Sequence, residues 1–577
     1  METKRFQWLS QYGPIALIGA VVLALTRSYY LGDTTGYAHQ ILDALIHPWD
    51  AGSTFWDAGH LLWRPIGWLL YQAFGSMFPA GQLTLLKIAE CLIGFSFLCA
   101  WITALLFYSI ALRLGVSRWV AVGLATALLC FNEVLNYGHA GHSYVPGLMC
   151  LTIAVRLLLS AKTASAISPV SSAGWAGAAL AASALLWLPY VLCFPAVILL
   201  AACWDGDDLA WPKLDRLGFA VRVCSWTVVV LSAAFLVAIA FDRLYSPAAF
   251  LAWLRSASHG RVPAPNLFRT LLGLGRSIVY MEDGIQFKRF LLHDPYAGVT
   301  IWSLIGTSLS KLAVVYVLLL GAAVGLARTR RGRVVFAVVF AAVVPNLLAA
   351  NFLFESGDTE RYMFLLPFAC VSFALILAGP GTTRLQAGML GVLLLAVTAW
   401  NLSAMSIPAI HSKEETLAQR ARLLKPYWRP FSVVGLLNYQ DGLCTFVETF
   451  PFNPLNRDPL RLFDIIEPST TRVATWRQEF ATRTLAAWAQ SGDVWLSKRV
   501  LAQTPKPEWA WAEGLAVSVP WKDFPAFFSR LETVNQIGDE DGFVLLAPSQ
   551  VNRDMLWGVG ILPSHPAARL LLSASRP

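Results

Sequence analysis

Apolar runs long enough to cross a hydrocarbon core of about 30 Å recur along this chain from Ile15 to Trp400, and the charged residues fall mostly between the runs rather than within them. Such a pattern excludes an ordinary water-soluble core. Composition agrees, since 56% of the 577 residues are hydrophobic and only 14% are charged, where a soluble domain carries about a quarter charged. The sequence therefore predicts an α-helical polytopic membrane protein with about eleven spanning helices, followed by a small C-terminal α/β domain with strand-like pieces at Gly492–Leu496 and Gly542–Leu546 and a helix over Thr475–Ala489.

Charge sets the orientation. Lys4 and Arg5 placed inside make the first helix run outward, and Arg113, Arg118, Lys162, Lys213, Arg216, Arg384 and the cluster Arg328, Arg330, Arg331 and Arg333 then also fall inside. This holds only if the apolar stretch Leu61 to Phe78 lies in the interface. If it crossed, every later helix would invert. The predicted spans run near 13–31, 83–112, 119–135, 145–161, 174–188, 190–204, 219–241, 301–327, 334–353, 362–379 and 385–402. Residues 1–402 thus form a transmembrane domain with outside loops 32–82, 136–144, 242–300 and 354–361, and residues 403–577 form an extracytoplasmic domain. The expected location is the cell inner membrane, with the N-terminus cytoplasmic.

The formal charge of +9 does not point to nucleic acid, because the basic residues are scattered over short loops and the tail without a stripe that tracks phosphates. All but one of the nine cysteines sit in apolar segments, where a thiol behaves as a small hydrophobe, and Cys444 stands alone in the tail. All nine histidines fall in outside segments, among them His39, His47, His259, His411 and His565. Polar groups are costly in a membrane and mark sites there, so any chemistry faces outward.

The outside segments carry the candidate residues. Asp33 follows the first helix and precedes an amphipathic stretch bearing Tyr37, Ile41 and Leu45. A carboxylate at that place either takes a proton from an attacking hydroxyl or caps the helix after it. Farther on, Asp57, His60 and Arg64 lead into the interfacial helix. Arg64 suits a lipid phosphate through its two-pronged guanidinium, or else snorkels between tryptophans, and His60 is a second donor to the same phosphate. The second outside loop carries Asn132, Glu133, His139, His142 and Tyr144, suited to sugar hydroxyls. Its two histidines and one carboxylate are a weak metal signal, so no metal ligand is assigned although a divalent ion is compatible. The long loop 242–300 alternates amphipathic pieces with breaks that hold Glu282, Asp283, His293 and Asp294, and it has the character of a lid. Glu360, Arg361 and Tyr362 run directly into a span. Arg361 either binds an anionic lipid head or pairs with Glu355, Asp358 or Glu360. The run Asp205-Gly206-Asp207-Asp208 has the look of a nucleotide-sugar motif, but it lies in a short inside loop without a nucleotide-binding domain.

Taken in order, Asp33 after the first helix, the interfacial helices of the first loop, Trp63-Arg64-Pro65, the long lid loop, Glu360-Arg361-Tyr362 and an outward C-terminal domain resemble the GT-C superfamily of polyprenyl-phosphate-sugar glycosyltransferases. The resemblance covers roughly residues 1–402 and looks closest to bacterial protein mannosyltransferase-like and aminoarabinose transferase-like proteins. It implies a sugar moved, with inversion, from a polyprenyl-phosphate donor to a lipid, glycan or protein acceptor at the outer face, among membrane lipids and with no nucleic acid. By the same likeness Asp33 is the catalytic carboxylate. Arg361, Arg64, His60 and Tyr362 bind the donor phosphate, and Tyr37, Asp57, Glu133, His139, His142, Glu282 and Glu360 surround the acceptor or sugar. The chain departs from the family in lacking a Trp-Trp-Asp-Tyr-Gly run and in carrying Asp33-Thr34 where protein mannosyltransferases have Asp-Glu. The alternatives are a transporter or flippase of a lipid-linked glycan, against which no internal repeat is visible, and a non-catalytic assembly protein.

Overall fold

The computed structural model describes residues 2–26, 32–46, 55–80, 84–161, 169–204, 213–256, 265–281, 285–291, 293, 298–352, 357–379, 383–406, 423–427, 429, 431–438, 462–466, 475–506, 520–565, 567–569 and 571. The chain separates into two compact units, one of residues 1–281 and 308–409 and one of residues 282–307 and 410–577. Glu282, Asp283, Asp294, Glu355, Cys444, Lys162, His47, His259, His411 and the Asp205–Asp208 run lie outside the described residues.

The first unit is helical throughout its described residues. It opens with α1 (Glu2–Leu25), α2 (Gly32–Ile46), α3 (Trp63–Phe74), α4 (Thr84–Arg113), α5 (Arg118–Leu129), α6 (Asn132–Tyr137) and α7 (Tyr144–Ala161). It continues through α8 (Pro169–Leu186), α9 (Phe194–Cys203), α10 (Lys213–Phe241), α11 (Pro247–Ser256) and α12 (Leu267–Ile278). Among the described residues, six helices are long and apolar enough to cross a membrane: Thr84–Arg113, Asp215–Phe241, Ile301–Ala327, Arg330–Phe352, Thr359–Ala378 and Arg384–Met405. The other expected spans hold shorter apolar helices of 10–17 residues, Ser10–Leu25, Arg118–Leu129, Tyr144–Ser160, Val170–Leu186 and Leu188–Cys203. The chain is thus a multi-pass membrane protein.

The ambiguous stretch near Leu61 holds helix α3. Its 12 residues extend about 18 Å at 1.5 Å per residue. Trp63, Arg64 and Gly67 are buried while Leu69 and Phe74 are exposed. Gly67 is what lets α3 come close to its neighbours. A Cβ there would meet Ile41 Cδ1 at 2.5 Å and Leu92 Cδ2 at 2.7 Å, so α2, α3 and α4 pack at a point with no room for a side chain. On α2, Thr34, Tyr37, Ala38, Ile41 and Ala44 are all buried, one helical stripe turned inward.

Within the membrane part, polar side chains fasten helix ends. Asn401, fully buried on the helix Arg384–Met405, donates to Cys130 O at 2.7 Å and Ile278 O at 2.8 Å and accepts from Tyr280 N at 2.8 Å. It thereby satisfies backbone groups just past the ends of α5 and α12 that no helix turn can reach.

The second unit holds a five-stranded sheet in the order β2-β1-β3-β5-β4, with β1 (Val433–Asn438), β2 (Leu462–Ile466), β3 (Val494–Ser497), β4 (Thr533–Ile537) and β5 (Phe543–Leu546). β1 runs parallel to β2 and β3, while β5 is antiparallel to β3 and β4. The helix Trp476–Ala489 bridges β2 and β3 in sequence, as a parallel sheet requires. It packs Trp476, Phe480 and Leu485 with Val494, Leu496, Phe524 and Phe528. The strands at Val494 and Phe543 and this helix stand where the sequence predicts them.

Replacing Asn401 with Leu strands two carbonyls and one N–H in a buried place, which costs on the order of 3 kcal/mol. Unfolding of the purified protein in detergent should register that loss, and a variant as stable as wild type would show that the junction draws no strength from Asn401.

Candidate functional site

The site is assembled at helix ends from segments far apart in sequence. Asp33 lies in the first turn of α2, where the partial positive charge of a helix start favours a carboxylate. Over this turn passes the loop between α6 and α7. Thr34 Oγ1 donates to Ala140 O, and Gly141 adopts φ +59° with its Cα hydrogen facing Thr34, where a Cβ would come within 2.7 Å of Thr34 Cγ2. Only glycine takes that backbone conformation at such close range without strain.

The result is that His142 stands behind Asp33. Its Nδ1 is 4.0 Å from Asp33 Oδ2, with the Asp33 side chain 59% exposed and that of His142 3%. Tyr37, Tyr137 and Tyr144 surround the imidazole at ring-centroid distances of 5.9, 5.4 and 5.0 Å. Burial holds the His142 imidazole below the usual histidine range, while the Asp33 and Glu360 carboxylates pull the other way. Burial likewise raises the Tyr37 phenol, with Asp33 adding to it, so Tyr37 remains a neutral hydroxyl.

His60 and Arg64 form a second layer. Tyr37 Oη is 3.3 Å from His60 Nε2, and His60 Nδ1 is 2.8 Å from Ser143 Oγ. Arg64 is buried to 1%, with Nη2 donating to Asp57 Oδ2 at 3.0 Å, Nε donating to Gln40 Oε1, and the guanidinium 5.1 Å from the centre of the Tyr37 ring. Asp57 in turn accepts from Gly59 N at 2.7 Å. The loop is laced onto the end of α8 by Leu62 N to Leu185 O at 3.0 Å and Leu188 N to Gly59 O at 2.9 Å. Arg64 therefore stands inside a buried polar network with Asp57 as its counter-ion, while its Nη1 has no hydrogen-bond partner among the described residues.

Opposite Asp33, a 3₁₀ segment Thr359–Leu365 carries Glu360, Arg361 and Tyr362. Tyr137 Oη donates to Glu360 Oε2 at 2.8 Å. The Arg361 side chain, 12% exposed, lies 3.8 Å from Asp358 Oδ2 and rests 5.4 Å from the centre of the Trp187 ring. Trp187 is 4.6 Å from Tyr144, which borders His142. A continuous row of contacts thus runs from Asp33 through His142, Tyr144 and Trp187 to Arg361. Tyr362 is committed elsewhere, its hydroxyl donating to Thr270 O at 2.6 Å.

Glu133 and His139 sit deeper. Burial raises the Glu133 carboxyl well above the usual carboxylate range, with Glu360 adding to it, and burial lowers the His139 imidazole to about 4. His139 is neutral near pH 7, and both side chains are buried, with His139 against Phe97 at 5.5 Å. Among the described residues no three His, Cys, Asp or Glu side chains gather as a metal-holding set. Asp33 and His142 offer two such groups. Gln40, Tyr137, Ser143 and Trp187 are participants that no motif flags, Trp187 being signalled only by its place before the Leu188-Pro189 turn.

Fold and site define a multi-pass membrane protein that gathers an exposed carboxylate and an arginine around a buried aromatic row. No protein-family model and no curated protein sequence matches the chain. Among solved structures it is similar to ArnT from Cupriavidus metallidurans bound to undecaprenyl phosphate, 11% identical over 94% of this chain and 98% of that one, at a TM-score of 0.48. It is also similar to the Archaeoglobus fulgidus oligosaccharyltransferase tethered with an acceptor peptide, at 10% identity, 94% and 75% coverage and a TM-score of 0.46. A third is the arabinofuranosyltransferase AftD from Mycobacteria, at 15% identity, 94% and 42% coverage and a TM-score of 0.38.

Arg64→Met removes one member of a buried ion pair and leaves Asp57 without its cation, a loss of about 3 to 5 kcal/mol. Arg361→Met, whose pair with Asp358 spans 3.8 Å and is less buried, should cost less. Parallel denaturation in detergent checks the contrast, and equal losses would remove it.

Proposed function

We propose that this protein is a glycosyltransferase that moves a sugar from a polyprenyl-phosphate donor to an acceptor hydroxyl at the outer face of the cytoplasmic membrane. The observation that carries the reading is the contact row from Asp33 to Arg361. It joins the two residues that the sequence resemblance makes catalytic base and phosphate ligand, from opposite ends of the transmembrane part.

The chemistry follows from charge. A sugar phosphate ester already has a good leaving group, so the site must activate the nucleophile and stabilise the negative charge that grows on the departing phosphate. Asp33 is the group free to do the first. Its side chain is open on one side and accepts the proton of the acceptor hydroxyl as that oxygen attacks the anomeric carbon. Arg361 does the second, its planar guanidinium braced on Trp187 and suited to two phosphate oxygens. Direct displacement from the face opposite the phosphate inverts the sugar carbon. Arg64 and His60 hold Tyr37 and α2 in place behind Asp33. Tyr362, with its hydroxyl spent on Thr270, braces the 3₁₀ segment that presents Arg361.

Membranes carrying the protein, given radiolabelled polyprenyl-phosphate hexose or pentose donors, should transfer label to an acceptor fraction. Asp33→Asn should lower turnover by about 10² to 10⁴, the usual worth of a general base. Arg361→Ala should weaken donor binding and lower turnover by about 10², as loss of one oxyanion-stabilising group does. Transfer that survives Asp33→Asn would move the base elsewhere, and lipid translocation without transfer, indifferent to Asp33→Asn, would replace a transferase with a transporter.

A further inference from the structure

The scheme above leaves His142 without a task, yet the fold takes pains to place it. The side chain is buried, and neither ring nitrogen has a hydrogen-bond partner among the described residues. Buried polar atoms are nearly always bonded, and an exception calls for a reason. The loop that carries it is fixed over α2 by Thr34 and Gly141. Three tyrosines from α2, α6 and α7 hold the ring, and Nδ1 is left facing Asp33 Oδ2 at 4.0 Å.

We propose that His142 is a positioning residue that acts through Asp33, aiming the carboxylate at the acceptor hydroxyl and taking up the proton that Asp33 removes from it. This rests on the transferase reading of Asp33. As the acceptor O–H gives its proton to Asp33, the oxygen lone pair forms the bond to the anomeric carbon. The bond from that carbon to the phosphate oxygen breaks, and its electron pair stays on the phosphate. Asp33 then passes the proton to His142 Nδ1, in the tautomer that carries hydrogen on Nε2. When the product has left, the proton returns from His142 to Asp33 and from the solvent-exposed Asp33 side chain to water, and both groups are restored. The Asp33 and Glu360 carboxylates beside the ring favour its protonated form, so the imidazole draws the proton from Asp33 while the acceptor oxygen attacks.

The groups that face His142 are Asp33 and Tyr37 on α2, Tyr137 on α6, Tyr144 on α7 and Glu360 on the 3₁₀ segment. Burial keeps the imidazole neutral and ready at neutral pH. Once pH falls below its lowered range the ring is already protonated and cannot accept, so wild-type turnover should decline on the acid side.

The test uses the full-length protein in membranes with labelled polyprenyl-phosphate hexose or pentose donors, comparing wild type, His142→Phe, His142→Gln and Asp33→Asn across pH. Phe refills the aromatic pocket without a ring nitrogen, and Gln covers the case in which Phe disturbs folding. The expected result is turnover lowered about 30-fold in both His142 variants, donor KM within about twofold, the acid-side decline removed, and thermal unfolding in detergent unchanged. His142→Phe with wild-type turnover and an unaltered pH profile would reduce the residue to packing and overturn the proposal. Wild-type activity that requires added Mn²⁺, with that requirement lost in His142→Phe, would overturn it in favour of a metal ligand. An inactive Asp33→Asn beside a fully active His142→Phe defeats this inference alone, whereas an active Asp33→Asn defeats the reading on which it stands.

Discussion

The seam between the first turn of α2 and the loop from His139 to Ser143 is the constraint on which the site depends. One hydrogen bond, Thr34 to Ala140, and one glycine at positive φ, Gly141, bring two segments 106 positions apart into van der Waals contact. The polar elements that follow inherit their places from it. His142 reaches Asp33 because Gly141 lets the loop turn there, and Ser143, the next residue, meets His60. A Cβ at Gly141 would push the loop off α2 and separate both pairs at once.

Around that seam the molecule divides its charges by depth. Arg64, Asp57 and Gln40 satisfy one another in a dry environment, where an unpaired charge would be expensive. Their role is to hold α2, α3 and the Tyr37 ring in a single arrangement. Arg361 is less deeply buried, pairs with Asp358 at 3.8 Å and leans on Trp187. Two arginines with the same chemistry thus stand at different depths, Arg64 inside the network and Arg361 nearer its edge.

How much of this was legible in the sequence follows from the range of the forces involved. The spans could be read because hydrophobic length is a local property. The strand at Val494 and the helix after Thr475 could be read because alternation and helical periodicity are local too. The twelve residues of α3 were ambiguous, since apolarity alone allowed them to cross and only the charge argument laid them in the interface. Asp33, Glu360 and Arg361 were visible as polar residues beside spans, where any charge stands out. Their neighbours were not. Tyr137 reaches Glu360 across 223 positions, Asn401 meets Cys130 across 271, and no spacing rule links such residues. For Arg64 too the residue type was visible, while its partners Asp57 and Gln40 were not.

The aromatic residues complete the physical picture. A site that must bind a charged phosphate at a membrane surface cannot be lined with fixed charges alone, because each would need a counter-ion that competes with the ligand. Tyr37, Tyr137, Tyr144 and Trp187 avoid that competition. Tyr37 and Trp187 offer ring faces to Arg64 and Arg361, which attract cations without neutralising them. Their bulk also excludes water from the space behind Asp33, so that the carboxylate meets solvent on one side and a dry imidazole on the other. In the transferase reading proposed above, proton transfer has a defined direction, inward from the acceptor, with the exposed carboxylate as its gate.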